Sequence, residues 1–506
     1  MTAACIARNT RRKSMRLVLA FALLLAASLA SAQDRLRIGS KRFTESYILA
    51  QVLAQTAQPH AATEVKQGLG NTAIVFEALR SGSIDLYPEY TGTIALEILK
   101  GAGGMTLEAM RAQLAPLGLG VGIRLGFNDG YALAMRADSA AKLGIAKLSD
   151  LARHPTLRLG LSNEFIGRAD GWKGLAQRYT LPQQPTGLDH GLAYDAVGAA
   201  QVDVIDIYTT DAKIDHLGLR VLDDDAGYFP RYDAVVLYRL DVPQRFPKAW
   251  SALQGLSGSV NEKTMIAMNA RAELNSVAFD VIARDHLAGR AGSALAGRGF
   301  WGKLFGADFW RLTGQHLGLV FASVLLAVAL GVPLAVWVTP HARWRAGVLG
   351  GTGLLQTVPS LAMLAVLISW VGRIGTVPAL MALTLYALLP IMRNTCTGLA
   401  EVPQGLRDAG KSLALTPPQR LFLIELRLAL PTLVAGVRTA TTIAVGTATI
   451  AAFIGAGGYG ERIVTGLALN DKELLLAGAL PSAALALLFE GVFELIALRL
   501  RRSSVR

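Results

Sequence analysis

Long apolar segments in the C-terminal part of the chain limit what it can fold into. They recur five times, at about Leu317–Val338, Ala346–Val371, Val377–Met392, Pro431–Ala456 and Leu474–Leu498. A helix needs roughly 20 apolar residues to cross the hydrocarbon of a bilayer, and four of the five segments exceed that length. We therefore expect residues 312–506 to form an all-α transmembrane domain with about five spans.

Basic residues are concentrated at the two ends of the chain. Of the net charge of +13, the part before Gln33 contributes five and the part from Trp301 onward contributes eight, which leaves the middle neutral. Basic residues beside apolar segments are typical of membrane proteins, where they collect on the cytoplasmic side. The predicted inner loops carry eleven basic residues and the outer loops three, which predicts an external N-terminal part and an internal C-terminus. No basic patch remains that would indicate nucleic-acid binding.

Residues 1–32 have the pattern of a secretory signal peptide. Five basic residues precede an apolar run that begins at Leu17, and Ala30-Ser31-Ala32 follows as a cleavage site of the A-x-A type. The alternative is an uncleaved anchor helix, and in both cases the chain from Gln33 onward is exported. Neither Cys5 nor Cys396 lies in the exported part, so we expect no disulfide there.

Short apolar strands alternate with amphipathic helices between residues 33 and 287. The predicted strands are 36–39, 84–88, 158–161 and 202–208, and two predicted helices are Ser46–Ala57 and Thr72–Arg80. This alternation is typical of an α/β domain with a mostly parallel sheet. The length suits two lobes, with the second at about 134–232, and the Gly/Ala-rich run within 288–311 is interpreted as a linker.

Four tyrosines of the exported part are candidates for a cage around a quaternary ammonium ion. They are Tyr90 in YPEYTGT, Tyr131 in FNDGYALAM, Tyr208 in IDIYTTDAK and Tyr232 in FPRYDAVVL. A trimethylammonium group has no N–H to donate, so ring faces rather than hydrogen bonds select it. Taken singly, each tyrosine is more often half-buried packing than a cage wall.

A nucleotide-binding motif occurs in the long loop between the third and fourth apolar segments. Residues 405–412 match G-x-x-x-x-G-K-S, but a phosphate-binding loop of this kind follows a buried strand and opens a helix packed on a sheet. The residues before Gly405 do not form such a strand, and the loop is too short for a nucleotide-hydrolysing domain. We expect instead a short amphipathic helix, within about 393–430, that docks on a cytoplasmic protein.

Residues 401–462 resemble the permease subunits of ABC importers for glycine betaine, carnitine and choline, and the resemblance covers about residues 312–498. In that family this loop seats in the ATPase subunit through an EAA motif. Asp408, Ala409 and Gly410 stand in its place, Lys411 follows them, and Ala414 replaces the expected glycine. The resemblance implies a separate cytoplasmic ABC ATPase in two copies and a homodimer of permease domains.

The exported part resembles the betaine-binding proteins of the same importers, through the strings IGSKRFTESYILA, GLGNT, IDLYPEYTGT, FNDGYALAM, RADG, YTTD and YDA. Proteins of this kind have two α/β lobes (type II) that close on the ligand. The resemblance implies a cage of the four tyrosines named above. It further implies that Lys41 and Arg168 bind the ligand carboxylate and that Asp129 lines the site. Without the resemblance, Lys41 and Arg168 would be surface charges, and Asp129 before a glycine would be turn chemistry.

These observations predict the substrate-binding and permease subunit of an ABC importer for glycine betaine or a related betaine, in the bacterial inner membrane with its binding domain in the periplasm. The alternatives are an importer of choline, carnitine or ergothioneine, and a membrane-anchored ligand sensor. A secreted enzyme is disfavoured because no catalytic constellation is found. The seven histidines lack metal-ligand spacing, and we expect no metal or cofactor.

Two carboxylates in the last apolar segment are unusual, because charged side chains are costly in lipid. We expect Glu490 to face the interior of the helix bundle, and Arg501 and Arg502 to neutralise Glu494 near the inner surface.

Overall fold

The computed structural model describes residues 34–101, 104–290, 299–469 and 471–504. The expected signal peptide with Cys5 and residues 291–298 of the expected linker lie outside this part of the chain. Up to Leu287 the described chain is an α/β structure, and from Phe300 onward it is helical.

The α/β part contains two five-stranded sheets, one in each lobe. The strands are β1 Leu36–Gly39, β2 Thr63–Lys66, β3 Leu86–Tyr90, β4 Leu119–Gly122, β5 Tyr131–Arg136, β6 Leu159–Ser162, β7 Thr186–Leu188, β8 Val204–Tyr208, β9 Leu219–Val221 and β10 Ala234–Arg239. Their order is β2-β1-β3-β10-β4 in the first sheet and β7-β6-β8-β5-β9 in the second. The chain thus enters the second lobe after β4 and returns to the first with β10.

The expectation of mostly parallel sheets is confirmed, since in each sheet four of the five strands run in the same direction and one strand runs against them. In the first sheet β1 runs parallel to β2 and β3, whereas β10 is antiparallel to β3 and β4. In the second sheet β6 is parallel to β7 and β8, and β5 is antiparallel to β8 and β9. The antiparallel strands β5 and β10 are the first ones formed after each passage of the chain between the lobes. Each of these two strands is the second from one end of its sheet.

The predicted helix Thr72–Arg80 is confirmed, and the predicted Ser46–Ala57 begins two residues earlier at Thr44. The main helices of this part are Thr44–Ala57, Thr72–Arg80, Leu107–Leu114, Ala137–Leu143, Trp172–Tyr179, His190–Gly198, Pro247–Gln254, Glu262–Glu273 and Phe279–Leu287. The first is buried along most of its length, because the last three pack against it. Its first turn therefore lies inside the domain, close to the ends of β1 and β3.

The membrane part is a bundle of helices. They are Phe309–Val338, Ala342–Thr357, Ser360–Val371, Thr376–Ala400, Gln404–Ser412, Leu426–Ala448, Gly460–Leu469 and Lys472–Ser504. By length and apolar composition, three helices of the described chain could each cross a membrane: Phe309–Val338, Thr376–Ala400 and Lys472–Arg499. A fourth crossing is reached if Ala342–Thr357 and Ser360–Val371, bent by 103°, form one span.

The second predicted segment is therefore not one continuous helix. It breaks at Val358 and Pro359, because the residue before a proline is driven out of the helical region and the proline has no N–H for the ladder. The fourth predicted segment falls on Leu426–Ala448, which packs against Phe309–Val338 and Thr376–Ala400.

The first lobe of the α/β part lies directly against the membrane part. The Arg42 guanidinium lies 5.0 Å from the ring centre of Phe453, and Gln67 Nε2 donates to Thr465 Oγ1 at 3.2 Å. The region beside Lys41 therefore lies close to the membrane helices.

Candidate ligand-binding site

All four predicted tyrosines lie together between the two lobes. Tyr90 ends β3, Tyr208 ends β8, Tyr131 begins β5, and Tyr232 lies just before β10. The ring centres form a continuous series through Phe43: Tyr90–Phe43 6.2 Å, Phe43–Tyr208 5.2 Å, Tyr208–Tyr131 5.0 Å and Tyr131–Tyr232 5.8 Å. We call these five residues the aromatic cluster. Phe43 was not among the residues predicted to form the cage, although it stands in the same motif, GSKRF, as Lys41.

The aromatic cluster is shielded from water, because each of its four tyrosines is at most 9% exposed. Two of its rings already have cations of the protein beside them. Lys41 Nζ lies 5.1 Å from the ring centre of Tyr90, and the Arg168 guanidinium carbon lies 5.0 Å from that of Tyr131. These rings are therefore placed to attract a cation, which is the chemistry required of a cage.

The two predicted carboxylate-binding cations are buried rather than on the surface, and each has an acidic partner. Lys41 Nζ lies 2.6 Å from Glu89 Oε1. Arg168 donates to both oxygens of Asp170 at 2.7 and 2.6 Å, and to Thr93 Oγ1 at 3.2 Å. A ligand carboxylate would have to share these cations with Glu89 and Asp170, and the roles of Lys41 and Arg168 as ligand contacts stay predictions.

Asp129 does not point at a cation but at a second carboxyl group. Its Oδ1 lies 2.9 Å from Thr210 Oγ1, whose other contact is Glu45 Oε2 at 2.7 Å. The other oxygen of Glu45 accepts a short hydrogen bond from the Tyr90 hydroxyl. Sequence reasoning missed Glu45, because an acid in the first turn of a helix usually interacts with the helix dipole at the surface. The residue nevertheless stands in the motif IGSKRFTESYILA, directly after Phe43 and Thr44.

The environment of this carboxyl pair favours its protonated form. Burial raises the pKa of Glu45 to about 7, although hydrogen bonds from Thr210 and Tyr90 oppose the change. Burial also raises the pKa of Asp129 well above its usual value, and the charge of Glu45 adds to the effect. At neutral pH the two groups therefore do not both carry a full negative charge.

A cavity of about 230 Å³ adjoins the aromatic cluster at Phe43 and Tyr208 and extends to Ala468 of the membrane part. The His190 ring lies 4.5 Å from the Tyr208 ring, and its Nε2 is 3.0 Å from Asp211 Oδ2. Burial opposes the charged form of His190, but Asp211 and Asp206 raise its pKa to about 9. The cavity therefore offers both polar contacts and a path toward the membrane helices.

The predicted docking loop forms the helix Gln404–Ser412. It follows the helix Thr376–Ala400 rather than a strand, which argues against a phosphate-binding loop. Asp408, Ala409, Lys411 and Ala414 are exposed, whereas Gly410 is buried at a point where a side chain would approach Ile424. Ala414 has φ +55°, a left-handed conformation that favours the glycine expected there.

The carboxylates of the last membrane helix have a partner that sequence reasoning missed. Arg438 forms ion pairs with both Glu490 and Glu494, the latter at 2.5 Å. The expected neutralisation of Glu494 involves the side chains of Arg501 and Arg502, which lie outside the described part of the structure, and it stays a prediction beside the observed pair with Arg438. Among the described residues, no group of three His, Cys, Asp or Glu side chains is arranged to hold a metal ion.

Comparison with protein families divides the chain in the same two parts. Residues 34–289 match the substrate-binding domain of ABC-type glycine betaine transport systems, which is half of the chain. Residues 327–502 match the inner membrane component of binding-protein-dependent transport systems.

Individual relatives agree with both matches. The glycine betaine/carnitine/choline transport system permease protein OpuCB of Bacillus subtilis is 40% identical over 187 residues, which is 37% of this chain and 86% of that protein. The ergothioneine transport permease/ergothioneine binding protein EgtU of Helicobacter pylori is 32% identical over 280 residues, 54% of this chain and 50% of that protein. A crystal structure of a glycine betaine/carnitine/choline ABC transporter matches half of this chain and 98% of its own, with 25% identity and a TM-score of 0.43.

The two family matches account for the two structural parts, the α/β lobes with their aromatic cluster and the apolar helices. A permease of this type implies an ATPase partner and a small-molecule ligand. The chain therefore belongs to the family of ABC-type glycine betaine transport systems, with the substrate-binding domain and the inner membrane component in one polypeptide.

Proposed function

We propose that this importer captures a quaternary ammonium solute, glycine betaine or a related betaine, in the aromatic cluster. The observation that carries the proposal is the continuous series of ring contacts from Tyr90 to Tyr232, whose tyrosines are all buried. Because several ring faces converge there, a trimethylammonium group gains about 0.5–2 kcal/mol from each face that it meets. No hydrogen-bond donor on the ligand is needed.

Arg168 is the stronger candidate for binding the ligand carboxylate. Its planar guanidinium lies over Tyr131 and can form paired hydrogen bonds with a carboxylate. Such a carboxylate would share the guanidinium with Asp170. Lys41 is a second contact only if its ammonium leaves Glu89, which is 2.6 Å away. In this proposal Asp129 lines the site through Thr210 rather than through direct contact with the ligand.

A second candidate ligand is ergothioneine, a betaine that carries a five-membered ring. The similarity to the ergothioneine-binding protein of Helicobacter pylori suggests this ligand. The cavity beside Phe43 and Tyr208, of about 230 Å³, supports it because it could receive a ring that the cluster alone could not hold. His190 and Asp211 at its wall are suitable polar contacts.

The remaining parts of the proposal concern partners and orientation. The exposed face of the helix Gln404–Ser412, with Leu413 74% exposed after its end, would dock on a separate cytoplasmic ATPase in two copies. Two permease domains would form the pore, and the binding domain would lie in the periplasm. The contacts of Arg42 with Phe453 and of Gln67 with Thr465 support direct transfer of the solute from lobes to membrane helices.

Calorimetry on the full chain in detergent tests the ligand, with glycine betaine, carnitine, choline and ergothioneine injected separately. We expect saturable binding of glycine betaine that is abolished in a Tyr131→Ala/Tyr208→Ala double variant. Tighter binding of ergothioneine would favour the second candidate. Absence of binding for all four solutes by the folded parent protein would overturn the proposal.

A further inference from the structure

One hydroxyl group lies between two buried carboxyl groups at the base of the aromatic cluster. Thr210 Oγ1 is 2.7 Å from Glu45 Oε2 and 2.9 Å from Asp129 Oδ1. Thr210, Glu45 and Asp129 are 1%, 2% and 4% exposed. We call these three residues the carboxyl pair with its bridge. They connect the first lobe, through Glu45, to Asp129 before β5 and to Thr210 just after β8 of the second lobe.

Counting donors shows that this arrangement needs one more proton than its hydroxyl supplies. A threonine hydroxyl carries a single proton, and ionised carboxylates only accept hydrogen bonds. Thr210 can therefore donate to Glu45 or to Asp129 but not to both. Tyr90 cannot help, since its hydroxyl donates to the other oxygen of Glu45. The second contact is a hydrogen bond only if one of the two carboxyl groups is itself protonated.

Among the residues that the structure describes, no cation is placed to replace this proton. In that part of the chain, neither Glu45 nor Asp129 has a Lys, Arg or His nitrogen within 4.0 Å, the distance within which an ion pair forms. The nearby ionisable groups are Tyr90, Asp211 with its partner His190, Glu89 with its partner Lys41, and Glu273. Two neutral N–H groups also donate to the pair at longer distances, Asn269 Nδ2 to Glu45 Oε2 at 3.5 Å and the Thr210 backbone N–H to Asp129 Oδ1 at 3.3 Å, but neither reaches the contacts of the Thr210 hydroxyl. Asn269 donates to the Thr210 carbonyl as well, and its own buried Oδ1 has no hydrogen-bond partner among the described residues.

We propose that Glu45 and Asp129 hold one proton between them through Thr210, and that Glu45 is a specificity-determining residue which supplies the counter-charge for the ammonium head of the ligand. The proposal rests on the proposed function, because it places that head group in the aromatic cluster. The Tyr90 hydroxyl is bonded to the Glu45 carboxyl group, so a ligand cation on the face of Tyr90, where Lys41 Nζ lies without ligand, would come close to that carboxyl group. Its charge stabilises the second negative charge of the pair, so that the shared proton leaves to solvent on binding.

The proposal makes proton release the signature of ligand binding. Calorimetry of the full chain in buffers of different ionisation enthalpy should show release of about 0.3 to 1 proton per glycine betaine near pH 7. Choline, which has the same head without the carboxylate, should release a similar amount. Affinity for both probes should rise several-fold between pH 6 and pH 8, because the proton-free pair is the form that meets the cation.

The matched variants are Glu45→Gln and Glu262→Gln. The Glu45→Gln variant preserves the shape and hydrogen bonds of a protonated Glu45 but has no group to ionise there, so binding should continue without proton release and with a flat pH profile. Glu262 is exposed on the helix Glu262–Glu273, and its variant should behave like the parent. Proton release that persists in Glu45→Gln would overturn the proposal.

A measurement without ligand separates this inference from the proposed function. The infrared difference spectrum of the full chain between pH 6 and pH 9 should contain a protonated-carboxyl band that is lost in Glu45→Gln. If the band is absent from the parent, the shared proton does not exist, whatever ligand binds. If the band is present but neither glycine betaine nor choline binds, the shared proton stands. The assignment of Glu45 as the counter-charge then falls together with the proposed function.

Discussion

Tyr131 and Tyr208 are directly opposite each other in the antiparallel pair of β5 and β8, with ring centres 5.0 Å and hydroxyl oxygens 3.3 Å apart. The residues around them in both strands are buried, so a register slip by one residue would turn the tyrosine rings to the opposite face of the sheet. One wall of the aromatic cluster is thus fixed by backbone hydrogen bonds in the second lobe. Tyr90 belongs to the first lobe, and movement of the lobes would change the distance between the walls.

The cage proposal predicts that ring faces, not hydroxyl groups, determine affinity. Replacing Tyr131 or Tyr208 by Ala should weaken glycine betaine binding by about 2- to 30-fold, the equivalent of one lost cation–π contact. Replacement by Phe should have a smaller effect because the ring remains. Calorimetry on the full chain measures both effects. The control is Tyr238→Ala, which removes a ring that packs at a tilt against Trp250 rather than against the cluster. Parent-like affinity in the alanine variants of all four cage tyrosines would contradict the cage.

Arg168 should discriminate between ligands that share the same head group. Zwitterionic glycine betaine should bind at least about tenfold more tightly than choline, because a charge-assisted hydrogen bond contributes roughly 1.5–3 kcal/mol. Arg168→Ala alone would remove the ion-pair partner of the buried Asp170 and leave it the hydrogen bond from Tyr232, so the informative variant is Arg168→Ala with Asp170→Asn. It should weaken glycine betaine much more than choline in competition assays. Asp170→Asn alone is the control, and unchanged selectivity in the double variant would remove Arg168 from the site.

Local sequence patterns correctly predicted those helices and strands whose formation depends mainly on residues close together in the chain. The strand Leu36–Gly39 and the helix Thr72–Arg80 were found at the predicted residues, because alternation and capping are local properties. The direction of β10 was not predictable in this way. It pairs with β3, which lies far earlier in the chain, and nothing in either strand encodes that the pair is antiparallel.

The same limit applies to the candidate site. The sequence motifs identified the four tyrosines, but a motif does not predict which charged side chains form ion pairs in the folded chain. The partner of Lys41 is Glu89, 48 residues away, and that of Arg438 is Glu490, 52 residues away. Glu45 was overlooked for the same reason. Its contact with Tyr90 arises only when the helix packs beside β3, and its contact with Thr210 only when the lobes come together.

The ion pairs of Arg438 with Glu490 and Glu494 predict that the packing of two membrane helices contributes to the thermal stability of the protein. Arg438→Met would remove the ion-pair partner that Glu490 and Glu494 share in an apolar helix, so the thermal unfolding midpoint of the full chain in detergent should fall. Adding Glu490→Gln and Glu494→Gln should restore most of the loss, because no unpaired charge remains. If Arg438→Met alone unfolds at the parental temperature, the pairs do not stabilise the bundle.

The left-handed conformation of Ala414 predicts that a glycine is better at this position. A residue with a Cβ costs about 1–2 kcal/mol in the left-handed region, so Ala414→Gly should slow hydrogen exchange at the end of the helix Gln404–Ser412. The matched control is Ala409→Gly, in the exposed interior of that helix, which should destabilise it by about 1 kcal/mol. Faster exchange in Ala414→Gly would show that the φ of +55° is not retained in solution.

Stability should depend on pH through Glu45 in a direction that its pKa determines. The ordinary pKa of 4.5 applies to the unfolded chain, whereas burial raises that of the folded protein to about 7. Between these values the unfolded chain has lost the proton and the folded protein has kept it, so stability falls as the pH rises from about 4.5 to 7 and then levels off. Glu45→Gln has no proton to lose and should not show this fall. One pKa unit corresponds to about 1.4 kcal/mol, so from pH 5 to pH 8 the stability of the variant should rise relative to the parent by about 1–3 kcal/mol. Thermal unfolding of the full chain at both pH values measures the difference, with Glu262→Gln as the exposed control. A constant difference between Glu45→Gln and the parent would mean that Glu45 is ionised throughout this range, and the shared proton with Asp129 would have to be abandoned.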